Sequence, residues 1–150
     1  MSTDLIVILV LVFGIIPGIF LFIYSMIAKK RKVKQQKEQY EKVKHLLDNP
    51  DIVKIALWIN IDKVNGVDYT GENEYSSNLK NGLLNFHPVS VALFEPGEYR
   101  FSVSSNSRPE YQNLEMQVVL SPGLVYQLGC NDRGPYFVTD PNPARYEYQE

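Results

Sequence analysis

Few side chains in this 150-residue chain can do covalent or metal chemistry. There are two histidines, His45 and His87, and one cysteine, Cys130. No His-x-x-x-His, paired-cysteine or Glu-x-x-His spacing occurs, so a zinc site is not expected. Cys130 stands in Leu128-Gly129-Cys130-Asn131-Asp132, far in sequence from either histidine. A nucleophilic thiol needs an adjacent base, so Cys130 reads as a structural, part-buried thiol. Asp62 and Asp68 flank an Asn-Gly pair, and Glu72 and Glu74 follow in Asp68-Tyr69-Thr70-Gly71-Glu72-Asn73-Glu74. That run lacks the order of an EF-hand loop, and its acids read as solvated. No phosphate-cradling glycine loop is present. The expectation is a protein that is not an enzyme, with no cofactor and no metal.

Ten tyrosines are the more suggestive feature. Tyr99 and Tyr126 fall in alternating segments and are expected to pack. Tyr69, Tyr75, Tyr111, Tyr146 and Tyr148 fall in expected loops or the tail. Tyrosine offers rigid apolar area with a polar tip, so these five are the candidates for a partner contact. Ordinary β-domain composition would explain them equally well.

What must position any such surface is set first by Leu5 to Ala28, LIVILVLVFGIIPGIFLFIYSMIA, which contains no charged residue and no histidine. As a helix it would be roughly 36 Å long, against a hydrocarbon core of about 30 Å. Only a helix satisfies its own backbone in lipid. The run is longer than a signal-peptide core, and its basic cluster follows it, so an uncleaved transmembrane anchor is expected. Gly14 and Gly18 have the small-xxx-small spacing of a helix–helix seam, a candidate for a homodimer. Pro17 between them predicts a kink.

Lys29, Lys30, Arg31, Lys32 and Lys34 crowd the C-terminal flank and are the candidate contacts with anionic lipid headgroups. The positive-inside rule places the N-terminus outside and the C-terminal domain in the cytoplasm, at the cell membrane. Residues 29–48 hold eight Lys/Arg and three acids, a balance of +5, whereas residues 51–150 hold seven and thirteen, a balance of −6. An acidic head argues against nucleic acid as a partner, since phosphate neutralisation needs a basic face. Residues 29–49 read as a helical stem with a thin apolar stripe of Val33, Tyr40, Val43 and Leu47, expected to touch the head. Pro50 ends that helix.

From Asp51 the pattern changes to period two. In IVKIALWINI, Val53, Ile55, Leu57, Ile59 and Ile61 share one face, which predicts a single half-buried strand. Asn65-Gly66 predicts a hairpin turn. Residues 69–82 are polar and read as a long loop or a loosely paired segment. Further short strands follow, separated by Glu95-Pro96-Gly97, Ser121-Pro122-Gly123 and Gly134-Pro135. Roughly seven strands with frequent turns predict a small antiparallel β-sandwich. The expected organisation is an anchor at 1–28, a stem at 29–49, a β-sandwich head at 50–140 and a flexible tail at 141–150.

Phe94-Glu95-Pro96-Gly97-Glu98-Tyr99-Arg100-Phe101-Ser102-Val103 resembles the turn-and-strand of PEGA-type bacterial β-sandwich domains. Leu120-Ser121-Pro122-Gly123-Leu124-Val125-Tyr126 is similar to a later segment of such repeats, and Asn65-Gly66 to their early hairpin. The resemblance spans residues 52–128, and the 69–82 segment departs from it. It implies a non-catalytic surface module on an envelope anchor, and transfers no functional residues. The expected function is therefore a single-pass membrane-anchored interaction or scaffold protein with a membrane protein partner. Two alternatives stay open. One is a ligand-sensing or small enzymatic head with the 69–82 loop over a pocket; the other is an extracytoplasmic envelope-binding module.

Overall fold

The computed structural model describes residues 8, 11–81, 85–142 and 146. Helix α1, Ile16–Leu47, follows a π-helical turn at Leu11–Ile15. Pro17 has no N–H to give, and its ring would collide with the carbonyl four residues back. A widened turn just before it relieves both conflicts, so the predicted kink site takes the form of a π turn. Ser25 sits in the apolar half, and its hydroxyl donates to the Phe22 carbonyl at 2.8 Å, which satisfies it within the helix. Among the described residues, one helix, Val12–Leu47, is long and apolar enough to cross a membrane. Leu5–Val7, Leu9 and Val10 of the expected span lie outside the described residues.

The chain divides into two compact units, Met1–Glu38 and Gln39–Glu150. In the first, the large apolar side chains of the helix are exposed, among them Phe13, Phe20, Leu21, Phe22 and Tyr24. The second begins eleven residues before the expected head boundary at 50, because the last turns of α1 belong to the head's packing. Lys44 and His45 lie in the last helical turn, where positive charge suits the carbonyl end. The helix stops at Leu47, as Pro50 predicts. The Asn49 N–H returns to the Leu46 carbonyl at 3.2 Å, and the Asn49 Oδ1 accepts from the Asp51 N–H at 3.0 Å.

Among the described residues nine strands follow: β1 Val53–Leu57, β2 Asn60–Val64, β3 Val67–Asp68, β4 Glu74–Asn81, β5 Asn85–Phe94, β6 Gly97–Ser104, β7 Leu114–Leu120, β8 Val125–Asn131 and β9 Gly134–Thr139. They form two sheets, β4-β5-β1-β8-β9 and β3-β2-β6-β7. The expected β-rich head is thus present, with nine strands in place of about seven. All pairs are antiparallel except β1 with β8, which run parallel. Local alternation carries no information on pairing direction, so this departure had no sequence signal.

The run IVKIALWINI is not one strand. It forms β1 in the larger sheet, crosses at Trp58-Ile59, and continues as β2 in the smaller sheet. The predicted face survives the corner, since Val53, Ile55, Ile59 and Ile61 are all in the inter-sheet core, with Leu57 packed against it. Both sheets turn their inner faces to the same oil, so one period serves both. Phe94, Phe101 and Tyr126 complete this core, with Phe137 stacked on Tyr126 at 4.6 Å.

Residues 74–81 of the expected loop are strand β4, paired with β5 from Glu74↔Ala92 to Asn81↔Asn85. Its polar composition hid it: of the side chains described in it, Tyr75 and Ser77 are buried, and one of them is polar. Gly82–Leu84, between β4 and β5, lie outside the described residues. The Asn65-Gly66 turn forms as predicted, with φ of 52° and 82°, the double positive twist that suits a two-residue hairpin.

A second core covers the outer face of the larger sheet. Val43, Ile52, Ala56, Tyr75, Val89, Val91, Leu93, Val125 and Tyr146 are buried there, with Tyr40, Leu46 and Leu47 packed against them. The stem's apolar stripe therefore does touch the head, through Tyr40, Val43 and Leu47. Val33, its first expected member, is exposed. The head has three layers: helix end, larger sheet and smaller sheet.

Candidate functional site

Five tyrosines were candidates for a partner contact, and the fold separates them. Tyr75 is 1% exposed because β4 turns it into the second core, where its ring meets Tyr40 edge-on at 5.7 Å. Tyr146, expected in a flexible tail, is fully buried. Its hydroxyl donates to Asp140 Oδ2 at 2.5 Å, and its carbonyl accepts from the Tyr75 hydroxyl at 2.7 Å. The same Asp140 oxygen accepts from Gln127 Nε2 at 2.5 Å. Neither tyrosine presents a surface: Tyr75, expected in the 69–82 loop, and Tyr146, expected in the tail, are both packed. Tyr111 is half-buried, its hydroxyl on the Asp132 carbonyl at 3.3 Å beside the Arg108–Asp132 ion pair. Tyr148 lies outside the described residues. Tyr69 borders a cavity.

That cavity is a cleft of about 380 Å³ at the open edge of the sandwich, lined by Leu57, Trp58, Ile59, Asn60, Ile61, Tyr69, Thr70, Gly71, Glu74 and Ser90. The β1–β2 crossover supplies one wall and the 69–74 segment the other. Trp58 must leave the core face at the crossover. Its N–H donates to the Leu128 carbonyl at 2.9 Å, and 45% of the residue stays exposed. Tyr69 stacks on Phe94 at 5.9 Å, which ties this wall to the core.

Glu74 is the cleft's acid. It pairs across β4–β5 with the core residue Ala92, so its side chain takes the inner face of the larger sheet. The expectation of a solvated loop acid is corrected by that placement. Burial pushes its carboxyl above the ordinary range, while hydrogen bonds from Tyr69 and Ser90 pull the other way. Burial, then the nearby Glu74, pushes the Tyr69 phenol upward as well. The Tyr69 hydroxyl donates to Asn73 Oδ1 at 3.0 Å, and the Asn73 amide donates to the Leu93 carbonyl. Among the described residues, no basic side chain contributes to the shift at Glu74.

The candidate lipid contacts Lys29, Lys30, Arg31, Lys32 and Lys34 are exposed on α1, and Lys34 approaches Glu38 at 3.7 Å. Space is open beside both Gly14 and Gly18. Among the described residues, no three His, Cys, Asp or Glu side chains converge as metal ligands. Cys130 is half-buried and packs against the inter-sheet core.

Sequence reasoning missed Trp58, Asn60 and Ser90 as neighbours of Glu74. A hint was available in Trp58, the single tryptophan, set on the polar side of an apolar alternation. No family model matches the chain, and no curated protein or solved structure matches it either.

Proposed function

We propose that this chain is a single-pass membrane-anchored interaction protein whose β-sandwich head binds a partner at the bilayer surface. One observation carries the reading: a helix with exposed apolar side chains runs directly into a run of exposed basic ones. Exposed Phe13, Phe20, Leu21 and Phe22 favour lipid over water. Lys29 to Lys34 then sit where anionic headgroups attract them, at about 1 kcal/mol per basic residue. By charge bias the head faces the cytoplasm of the cell membrane. The resemblance of residues 52–128 to PEGA-type modules supports a head that binds without catalysing. Confinement to the membrane raises the effective concentration of a weak binder for its membrane neighbours.

The cleft at Trp58, Tyr69 and Glu74 favours a more specific form of this reading, a head that holds a ligand group. It is concave, with an apolar wall and a few converging polar groups.

Crosslinking and co-purification from native membranes test the proposal. The full chain is expected to bring down specific membrane partners, and a chain cut before Gln39 is expected to lose them. An unchanged partner list overturns the reading. Protease added to intact cells is expected to spare the head; its digestion there overturns the orientation.

A further inference from the structure

We propose that the cleft between the β1–β2 crossover and the 69–74 segment is a binding site for a primary ammonium on an apolar stem. This rests on the reading of the head as a binding module. The chemistry follows from what the cleft offers. Glu74 supplies one carboxyl on the inner face of β4, with Thr70 and Ser90 as neutral acceptors. Leu57, Ile59 and Ile61 supply an apolar wall for a methylene stem. Trp58 and Tyr69 line the same cleft as the acid, and aromatic faces attract cations.

Other ligand classes fit less well. A divalent metal wants six or more oxygen ligands, typically with several carboxylates, and the cleft has one acid. An anion would meet that acid and a head whose residues 51–150 carry a balance of −6. A neutral ligand would leave the half-buried carboxyl as it is, without the opposite charge that stabilises its ionised form. A cation supplies that charge, and its N–H groups meet oxygen acceptors in place of the water they leave. The acidic head also steers cations toward the cleft.

The ammonium could come from a lysine side chain of a protein partner or from a free alkylamine. Two probes separate these sources: N-acetyl-lysine N-methylamide for the side chain and 1,5-diaminopentane for the free amine. Full-length protein in nanodiscs of zwitterionic lipid is titrated with each. Trp58 is the only tryptophan, so its emission reports this cleft alone, and the heat of titration gives a second readout. Saturable binding of either probe is expected, and the tighter one names the source. The Nε-acetylated lysine probe, which has no charge, is expected not to bind. Glu74→Gln keeps the shape and a hydrogen-bonding group, and is expected to weaken binding about tenfold or more, the usual scale for losing a charge-assisted bond. Silence of both probes in both readouts overturns the inference. So does equal binding of the acetylated probe, or unchanged affinity in Glu74→Gln. Partners retained in co-purification while both probes are silent would remove this site and leave the binding module standing. Probe binding by a protein that ignores vesicles would do the reverse.

Discussion

Residues 12–28 and 39–47 lie on one helix, and they treat apolar side chains in opposite ways. In the first stretch nearly every residue is apolar and the large ones are exposed. In the second, few are apolar, and those few are buried or packed: Val43 is 2% exposed, with Tyr40, Leu46 and Leu47 beside it. Hydrophobicity alone therefore does not predict burial along α1. What matters is whether the apolar positions repeat on one face. A stripe at 3.6-residue spacing finds a sheet, whereas an all-round apolar helix has no single face to offer and suits a solvent that is itself apolar.

A charge placed in each stretch breaks the comparison most sharply. Val43→Asp puts an unpaired carboxylate into the second core and removes a buried side chain. The head is expected to lose about 3–5 kcal/mol, the usual cost of an uncompensated buried charge, read as a drop in its urea midpoint. Phe20→Asp is expected to leave that midpoint unchanged and to disfavour bilayer insertion by about 2.5–3.5 kcal/mol, read by vesicle flotation. If Phe20→Asp destabilises the head or Val43→Asp does not, the two stretches do not differ in what covers their apolar side chains.

The same outer face has a second cover, at the other end of the chain. Asp140 is 5% exposed and accepts from both Gln127 and Tyr146. Asp140→Ala leaves those two donors unsatisfied, and about 1–3 kcal/mol of head stability is expected to go with it. Proteolysis after Tyr146 loses its carboxylate anchor is expected to speed up at the C-terminal segment. Equal protection in both proteins would mean that packing and the Tyr75 hydrogen bond hold Tyr146 without Asp140.

Gly123 is the point where the end of the stem segment meets β8. Its φ is +67°, and a Cβ there would sit 3.0 Å from the Pro50 carbonyl oxygen. Its N–H donates to the Asp51 carbonyl at 3.0 Å. Gly123→Ala is expected to cost about 1–2 kcal/mol from the left-handed conformation alone, with the backbone contact adding to it. Gly66→Ala has the same left-handed strain but open space around it, so it is expected to cost less.

Much of this architecture was legible in the residues, for reasons that these substitutions probe. The apolar run, the helix stop at Pro50, the Asn65-Gly66 turn and the inner faces of β1 and β2 all follow from local pattern. The stripe of Tyr40, Val43 and Leu47 was legible as a stripe, but its partner was not, because a stripe does not name the surface it meets. Strand β4 was hidden because its sequence, EYSSNLKN, is mostly polar and shows no clear apolar alternation. Tyr146 was hidden because the tail, PNPARYEYQE, shows no apolar period. Glu74 was read as a loop acid for the same reason as β4, and the cleft could not be seen at all. It exists only because the chain changes sheets at Trp58 and brings the crossover beside residues 69–74.

Glu74 extends the comparison to the inner face of the same sheet, with the smallest expected effect. Its carboxyl is held above the ordinary glutamate range in the folded head, chiefly by burial. In the unfolded chain it titrates near the ordinary value of about 4.3. Between those two values the folded state binds more protons than the unfolded one, so stability falls as pH rises. Glu74's contribution is therefore fully present below about pH 4.3 and is lost as pH rises through its folded value. Glu74→Gln stays neutral throughout, so its urea midpoint is expected to fall less across that window than that of the unsubstituted protein. Saturation with the lysine probe is expected to act in the same direction, since a bound ammonium pulls the carboxyl back down and flattens the slope. Superimposable midpoint profiles for the two proteins would show that Glu74 is ionised in the folded head, and its place beside Tyr69 and Ser90 would then be that of an ordinary hydrogen-bonded carboxylate.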